Sequence, residues 1–356
     1  MGLDPARSTN EALLPAVTAE RCVHSLLEQA SCRSCVEACP TGAWVIDDEA
    51  VGIDPALCDG CGLCVPACPQ GVLDQPVTPA YYRIDGIRIA FAVCAKAGRL
   101  DSTEGIVPCL HTFGLDKLLR LYGQGVRRLV LGSGNCDSCP RGTAPRIAHY
   151  VQQANWLLEA RGRATLAVDR IEVEGWQQAR TKAAAGDDNL ALGRRAFFRR
   201  ALDGAAQKAV GQDRSAERET PGFSPAGRLL PRTEATQPCV HVPHIEARRC
   251  AGCDVCARTC PHAAITLELD KTGGASYRLD PDRCSDCGLC RDVCASGAVE
   301  IRHFAIPEQE KISLGTQRCR ACGVPFHRPL GSENANSMCT VCAQQNHYRN
   351  LFQTLD

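Results

Sequence analysis

Aromatic residues, net charge and long apolar runs are all scarce in this sequence of 356 residues. Phe, Trp and Tyr make up 5% of the chain, so its core must be built largely from smaller apolar side chains. Forty Lys and Arg residues balance forty Asp and Glu residues, which leaves no overall charge to attract nucleic acid or anionic lipid. No apolar run approaches the roughly 20 residues that cross a bilayer, and the N-terminus lacks an export signal. We therefore expect no nucleic-acid partner and no membrane span.

Nucleotide-binding motifs are also missing. The chain has no P-loop, and the sequence GSG at 132–134 does not continue as a dinucleotide fingerprint, since Asp137 stands where that motif needs glycine. Flavin, nicotinamide and molybdopterin signatures are absent as well. Without such a centre for two-electron organic chemistry, the sequence favours electron transfer over catalysis.

Cysteine, by contrast, is abundant, with 25 residues. The pattern C-x2-C-x2-C-x3-C occurs twice within residues 239–305. In such a run the first three thiolates hold one 4Fe-4S cluster and the fourth ligates the neighbouring cluster. Disulfides would need an oxidising compartment, and zinc rarely demands so dense a run twice. The predicted ligand sets are Cys250, Cys253, Cys256 and Cys294 for one cluster and Cys284, Cys287, Cys290 and Cys260 for the other.

Residues 20–78 repeat the pattern with one departure. The upstream run lacks its first cysteine, because Gln29 stands at that position. Cys22 is close enough in sequence to return to the site through a looped-out segment, at little entropic cost. The alternative is an incomplete or 3Fe-4S cluster with Cys22 buried as a small apolar side chain. The predicted sets are Cys22, Cys32, Cys35 and Cys68 for the first cluster and Cys58, Cys61, Cys64 and Cys39 for the second.

Both segments resemble bacterial-type dicluster ferredoxin domains. Proline follows the fourth cysteine, as in that family, at Pro40, Pro69 and Pro261, whereas Ala295 departs from this habit without losing a ligand. The resemblance implies four 4Fe-4S clusters in total. So many thiolate ligands without an export signal indicate a reducing compartment, and we expect a cytoplasmic protein.

Residues 79–175 have a different character. Apolar strands at 87–93 and 128–131 alternate with helical spacing around Leu115 to Tyr122, which predicts a small α/β unit with a parallel sheet. Four cysteines follow these strands and should gather at the carboxyl edge of the sheet, where such folds place their sites. They are Cys94, Cys109, Cys136 and Cys139.

This segment resembles the hydrogenase iron–sulfur (delta) subunit that accompanies heterodisulfide reductases. The resemblance is carried by the IAFAVC and IVPC strands, by GQGVRRLVLGSGNC and by the CDSC pair. It implies a 2Fe-2S cluster on the four central cysteines. Adjacent cysteines near the first strand are usual in that family, but Cys94 stands alone here. A zinc site and a redox-active dithiol at Cys136 and Cys139 remain alternatives.

Two further segments complete the chain. Residues 176–238 are predicted to be helical and then a flexible linker, and the basic run at 193–200 is expected to form a helix that docks on a partner or on a ferredoxin domain. Residues 306–356 hold two C-x2-C pairs, which predict a zinc ribbon with each pair on its own hairpin; rubredoxin-type iron is the alternative. The four ligands are Cys319, Cys322, Cys339 and Cys342.

The remaining cysteine, Cys239, is expected to be a buried packing residue rather than a ligand. Histidine is uncommon as a cluster ligand, so the histidines near the second ferredoxin segment are expected to be surface groups or groups that adjust the cluster potentials. They are His241, His244, His262 and His303.

Taken together, these patterns predict an α+β protein with two dicluster ferredoxin-like domains, a central α/β domain and a C-terminal zinc ribbon. The expected function is single-electron relay to or from a redox enzyme, and the resemblances point to a heterodisulfide-reductase-like, formate or molybdenum-type complex. Two alternatives stay open. One is a disulfide- or sulfur-reducing enzyme that uses the central cysteines, and the other is an assembly factor for an iron–sulfur or molybdenum enzyme.

Overall fold

The computed structural model describes residues 14–46, 51–141, 146–187, 223–270, 274–332 and 337–345. The chain divides into two compact units. The first unit comprises residues 1–21 and 33–223, and the second comprises residues 22–32 and 224–356. The basic run at 193–200, expected to dock on a partner, lies outside the described residues.

Short elements dominate the described chain. The helices are α1 Val23–Leu26, α2 Ser34–Ala38, α3 Leu115–Gly123, α4 Arg146–Glu159, α5 Val173–Ala185, α6 Ala226–Leu229, α7 Val255–Thr259, α8 Leu289–Asp292 and α9 Thr340–Gln345. The strands are β1 Ala16–Val17, β2 Trp44–Ile46, β3 Val51–Ile53, β4 Leu73–Asp74, β5 Ala80–Ile84, β6 Ile87–Cys94, β7 Ile106–Val107, β8 Val126–Gly132, β9 Ala167–Ile171, β10 Cys239–Ile245, β11 Ile265–Leu269, β12 Ala275–Leu279, β13 Val299–Ala305, β14 Lys311–Arg318 and β15 Pro325–Pro329.

The first unit joins a cysteine-rich part to a five-stranded sheet. In the cysteine-rich part, β1 pairs with β4 and β2 pairs with β3, both antiparallel. The larger sheet has the order β5-β6-β8-β9, and β7 pairs with β6. Its strands are parallel apart from β5, which forms an antiparallel hairpin with β6. The predicted strands at 87–93 and 128–131 lie within β6 and β8, both of which are largely buried.

Aromatic side chains form the centre of that sheet's core even though the chain has few of them. Phe91 on β6 meets Tyr82 and Trp176 edge-on, at ring-centroid distances of 5.6 and 6.3 Å. Trp176, on α5, is fully buried and donates its indole N–H to the Val130 carbonyl. On α3, buried leucines recur at helical spacing, as the sequence predicted. Packing on the sheet therefore fixes the strand ends that carry the central cysteines.

The second unit contains a four-stranded antiparallel sheet and a two-stranded sheet. The four-stranded sheet has the order β11-β12-β14-β15, and β10 pairs with β13. Tyr277 on β12 lies opposite Ile312 on β14, so one sheet runs through the expected domain boundary at 305/306. The ferredoxin segment and the C-terminal segment consequently share a hydrogen-bonded framework.

Segment 22–32 packs within the second unit. Val23 and Ala30 form a buried apolar cluster with Leu289 of α8. Ser31 donates two hydrogen bonds to the Asp292 carboxylate, from its backbone N–H at 2.9 Å and from its hydroxyl at 2.8 Å. The looped-out segment expected after Cys22 is therefore an ordered packing element.

Candidate metal centres

The fourth cysteine of every run has the same local geometry. In each case its Sγ accepts a hydrogen bond from the backbone N–H four residues later, at 3.2 to 3.4 Å. Such N–H groups stabilise a thiolate ligand and help to set a cluster's potential. The incomplete upstream run conforms to this rule, so it is built like the other three at Cys39. The four pairs are Cys39 with Ala43, Cys68 with Val72, Cys260 with Ala264 and Cys294 with Ala298.

The loops between the cysteines share a backbone pattern too. Two alternating positions adopt left-handed conformations in each full run, and these are Gly60 and Gly62, Gly252 and Asp254, and Asp286 and Gly288. Left-handed residues within a loop turn successive N–H groups inward and form an anion-binding concavity. Glycine adopts this conformation without strain. At position 252 glycine is needed for a second reason, because a Cβ atom would lie 2.1 Å from the His327 carbonyl oxygen.

One predicted ligand set surrounds a cavity. A pocket of about 360 Å³ is lined by its four cysteines and by His262, together with apolar and loop residues. Burial raises the pKa of the Cys290 thiol to about 12 and that of Cys284 well above its ordinary value. Four thiols around a cavity, two of them buried and two partly buried, fit a metal cluster, which displaces their protons on binding. The set is Cys260, Cys284, Cys287 and Cys290.

The cysteines predicted to hold the other cluster of this domain also lie near one another. Cys256 is 9% exposed, and burial raises its pKa, with further increases from the nearby thiolates of Cys250, Cys253 and Cys294. Burial also raises the pKa of the Cys294 thiol, but hydrogen bonds from Ser296 and from backbone N–H groups outweigh this and lower it. The structure therefore brings the cysteines of residues 239–305 near one another, and their division between two clusters stays a prediction.

In the first unit, the thiols predicted for one N-terminal cluster also lie near one another. Burial raises the pKa of the Cys64 thiol. The nearby thiols of Cys61 and Cys39 raise it further. The pKa of Cys58 is likewise raised by burial, and this thiol lies near Cys39. The other N-terminal set is divided between the units, since Cys22 and Cys32 belong to the second and Cys35 and Cys68 to the first. That ligand set stays a prediction.

The central cysteines meet at the carboxyl end of parallel strands. Cys94 ends β6, and a hydrogen bond from the Cys109 thiol lowers its pKa to about 6 against the opposing effect of burial. Cys136 accepts a hydrogen bond from Arg170 Nη2 at 2.9 Å and is in electrostatic range of Cys94 and Cys139. Cys109 also shares a buried cluster with Cys61, a residue of one predicted N-terminal set.

The C-terminal cysteines form the tightest group. Their four Sγ atoms all lie within 4.8 Å of one another, and those of Cys322 and Cys339 are 3.9 Å apart. Tetrahedral coordination with metal–sulfur bonds of about 2.3 Å places sulfurs about 3.8 Å apart, so the spacing fits a single ion. Cys319 and Cys322 follow the hairpin strand β14, whereas Cys339 and Cys342 flank the start of helix α9. The second pair therefore does not lie on a hairpin, contrary to the sequence-based expectation.

A hydrogen-bonded group joins this C-terminal segment to a cysteine loop. Asp254 Oδ1 lies 2.7 Å from both the Tyr277 hydroxyl and His327 Nε2. Asp254 belongs to the loop of Cys253 and Cys256, and His327 lies on β15. Sequence reasoning missed this contact. The sequence offers one sign of this contact: Asp254 occupies the position at which the second cysteine run, 284–294, has Gly288, and both residues adopt a left-handed conformation.

Comparison with known families settles the nature of the cysteine loops. Residues 30–73 and residues 249–298 each match a family described as a 4Fe-4S dicluster domain. The chain carries two 4Fe-4S dicluster ferredoxin domains. Both matches fall within the predicted ranges, 20–78 and 239–305, and the N-terminal match begins after Cys22.

Two curated proteins are similar to parts of the chain. Hydrogenase-4 component A of Escherichia coli (strain K12) is 30% identical over 115 residues, which is 31% of this chain and 48% of that protein. A probable iron–sulfur protein of the Frd operon in Proteus vulgaris is 30% identical over 67 residues, or 19% of this chain and 43% of that protein. The chain thus spans less than half the length of either relative. Within the part of the chain that the structure describes, no helix is long and apolar enough to cross a bilayer.

Proposed function

We propose that this protein relays single electrons to or from a redox enzyme in the cytoplasm. Its two dicluster domains would hold four 4Fe-4S clusters, on the ligand sets predicted from the cysteine spacing. A bound cluster supplies reversible one-electron chemistry. The protein's own residues provide thiolates, inward-facing N–H groups and apolar cover against water.

The observation that carries this proposal is the fourfold repetition of the N–H···Sγ hydrogen bond. Cys39, Cys68, Cys260 and Cys294 are built alike. A dicluster domain needs two such crossing cysteines, so four of them support four clusters. The cavity lined by Cys260, Cys284, Cys287 and Cys290 supports a cluster at one of these sites by its thiol lining.

The central cysteines extend the relay in this proposal. A 2Fe-2S cluster on Cys94, Cys109, Cys136 and Cys139 would lie next to the N-terminal site of Cys61, because Cys109 and Cys61 pack in one buried cluster. A buried apolar contact between two sites shortens the path between them and excludes water. Structural zinc in the C-terminal cysteine group is supported by its sulfur spacing.

A redox-enzyme partner is supported by the names of the two relatives, one a hydrogenase component and the other a probable iron–sulfur protein of the Frd operon. A heterodisulfide-reductase-like, formate or molybdenum-type complex remains our proposal from the sequence resemblances. A reducing location is supported by the number of cysteines in the chain, because so many thiolate ligands would not survive as thiolates in an oxidising compartment.

The decisive experiment counts metals and electrons. Anaerobically purified protein should contain about eighteen irons and at least one zinc per chain, and a reductive titration followed by electron paramagnetic resonance should show clusters that take up and release electrons. Cys290→Ser should lower the iron content by about four, whereas Cys239→Ala, which changes a cysteine outside every predicted set, should leave it unchanged. A protein whose clusters never accept electrons would overturn the proposal.

A second candidate function is favoured by the interaction of the Cys109 thiol with Cys94, which lowers the pKa of Cys94 to about 6 and so favours its reactive thiolate. As a dithiol, this pair would close to a disulfide and pass two electrons and two protons to a disulfide substrate, with the clusters returning the electrons. Sixteen irons rather than about eighteen, with disulfide reduction lost in both Cys94→Ser and Cys109→Ser, would favour the reductase over the relay.

A further inference from the structure

We propose that His241, Asp286 and His303 form a binding site for a divalent transition-metal ion of the zinc class, separate from the cysteine sites. One possible ligand atom from each residue lies within 4.8 Å of the other two. This inference goes beyond the electron-relay function and does not depend on it.

The two histidines are held together by strand register. His241 on β10 lies directly opposite His303 on β13 in an antiparallel pair. Their Nδ1 atoms are 3.3 Å apart, and the rings meet edge-on with centroids separated by 5.4 Å. Two nitrogen ligands on a tetrahedral zinc ion, at bonds of about 2.0–2.1 Å, are themselves about 3.3 Å apart. The backbone therefore presents two imidazoles at ligand spacing.

Asp286 supplies an oxygen from the facing loop. Its Oδ2 lies 3.6 Å from His303 Nε2, whereas His303 Nδ1 is the nitrogen next to His241, so an ion shared by the three residues uses one of the two ring nitrogens. Its Oδ1 is buried and forms no hydrogen bond to a described residue, although Arg291 Nη2 lies 3.4 Å away. Oδ2 is therefore the oxygen that faces the histidine pair, while Oδ1 faces the Arg291 guanidinium. Arg291 is 45% exposed on its side chain, so it can turn to solvent when an ion binds.

The donor types and the exposure of the group suit metal binding. The side chain of His303 is 49% exposed, which opens a route from solvent. Two imidazoles and one carboxylate are a common zinc donor set, whereas magnesium and calcium prefer oxygen ligands alone.

The site would also influence the neighbouring cysteine loop. Asp286 stands between Cys284 and Cys287, and both it and these cysteines line the same cavity. A bound dication therefore adds positive charge beside this loop. Positive charge favours the reduced state of a nearby cluster and raises its reduction potential.

The test uses the cluster-loaded full chain with its C-terminal cysteine site already filled with zinc. After equilibration in a zinc buffer and desalting, zinc and iron are counted in the wild type and in His303→Ala. His244→Ala is the matched control, since His244 lies on the same strand as His241 but outside the group. We expect the wild type and His244→Ala to hold one more zinc per chain than His303→Ala at equal iron content. Equal zinc in all three proteins overturns the proposal.

If His303→Ala loses its clusters, its zinc content cannot be compared with that of the wild type, and two further measurements test the site instead. Zinc K-edge X-ray absorption on the zinc-loaded wild type should detect imidazole nitrogens as well as sulfur around zinc, and an all-sulfur shell at full loading counts against the site. A redox titration with and without zinc should show an upward shift in the wild type and in His244→Ala, but a much smaller shift in Asp286→Asn. A hydrogen-bonded histidine pair without a metal would give neither signal.

Discussion

The Arg141 guanidinium lies 2.6 Å from the Asp59 carboxylate and fastens a cysteine loop to the central sheet. Asp59 follows Cys58, and Arg141 also donates to the carbonyl of Pro108, the residue before Cys109, at 2.7 Å. The Arg141 side chain is 7% exposed. One side chain therefore joins the N-terminal ferredoxin loop to the central cysteine site within the same unit.

Removal of this guanidinium should loosen the loop. We expect Arg141→Ala to destabilise the first unit by about 2 kcal/mol, a figure reduced from the buried-pair value because Asp59 is partly exposed. The measurement is the denaturant concentration at which visible cluster absorbance is half lost under anaerobic conditions.

An exposed ion pair in the same unit provides the control for this variant. Arg128 on β8 pairs with Asp169 on the neighbouring strand β9, with side chains 54% and 39% exposed. Arg128→Ala should cost no more than about 0.5 kcal/mol. If Arg141→Ala and Arg128→Ala lose half of their cluster absorbance at the same denaturant concentration, Arg141 has no special role in holding the loop.

The hydrogen bonds of Asp254 should stabilise the second unit. Tyr277→Phe removes one donor from this carboxylate and should cost about 2 kcal/mol, because the hydroxyl is buried and its acceptor is charged. Tyr81→Phe is the matched control, since this tyrosine stacks on Arg88 and its hydroxyl makes no hydrogen bond to a described residue. Thermal unfolding followed by near-ultraviolet circular dichroism measures the difference. Equal losses in the two variants would show that the Asp254 contact adds nothing.

The C-terminal cysteines should bind zinc independently of iron. Cys322→Ser should lower zinc by one per chain and leave iron unchanged, because its sulfur lies within the tight four-sulfur group and outside the ferredoxin runs. Elemental analysis of anaerobically purified protein tests this. Loss of iron in place of zinc would instead indicate a rubredoxin-type site.

The partly buried Lys117 should make the free energy of unfolding depend on pH. Burial lowers the pKa of this amine in the folded protein, so the unfolded chain binds the proton more tightly. In the window between the lowered folded pKa and the unfolded value of about 10.4, stability of the wild type should rise with pH. Lys117→Met should stabilise the protein at pH 7, on the order of 0.5 kcal/mol, and this advantage should shrink towards pH 10.

Lys96→Met is the control for that variant, since it makes the same replacement at an exposed lysine. Unfolding in denaturant at pH 7 and pH 10 separates the two cases. A constant difference between wild type and Lys117→Met at both pH values would exclude a titrating lysine as the cause.

Local sequence patterns predict the cysteine loops well, because a C-x2-C-x2-C-x3-C run specifies its own turns. The left-handed residues at Gly252 and Gly288 and the hydrogen bond from Ala264 to Cys260 all lie within a few residues of the ligands. For the same reason the spacing predicted both dicluster domains, which the family matches confirmed.

Long-range contacts are what the spacing could not predict. The bond between His327 and Asp254 joins residues 73 positions apart, and nothing in either local sequence specifies it. The placement of Cys342 was wrong for a different reason. The residues after it, Ala343 onward, favour a helix, and α9 takes the place of the expected second hairpin.

The packing of Ser31 against Asp292 has a consequence for how the protein is made. These residues are 261 positions apart, so the early segment 22–32 emerges from the ribosome long before its binding surface exists. At about 5–20 residues per second, that interval lasts on the order of ten seconds or more. Throughout it, Val23 and the nearby thiols Cys22 and Cys32 remain uncovered. Metallation and oxidative damage therefore compete at this segment during synthesis, and the second unit reaches its final packing only after translation has passed residue 292.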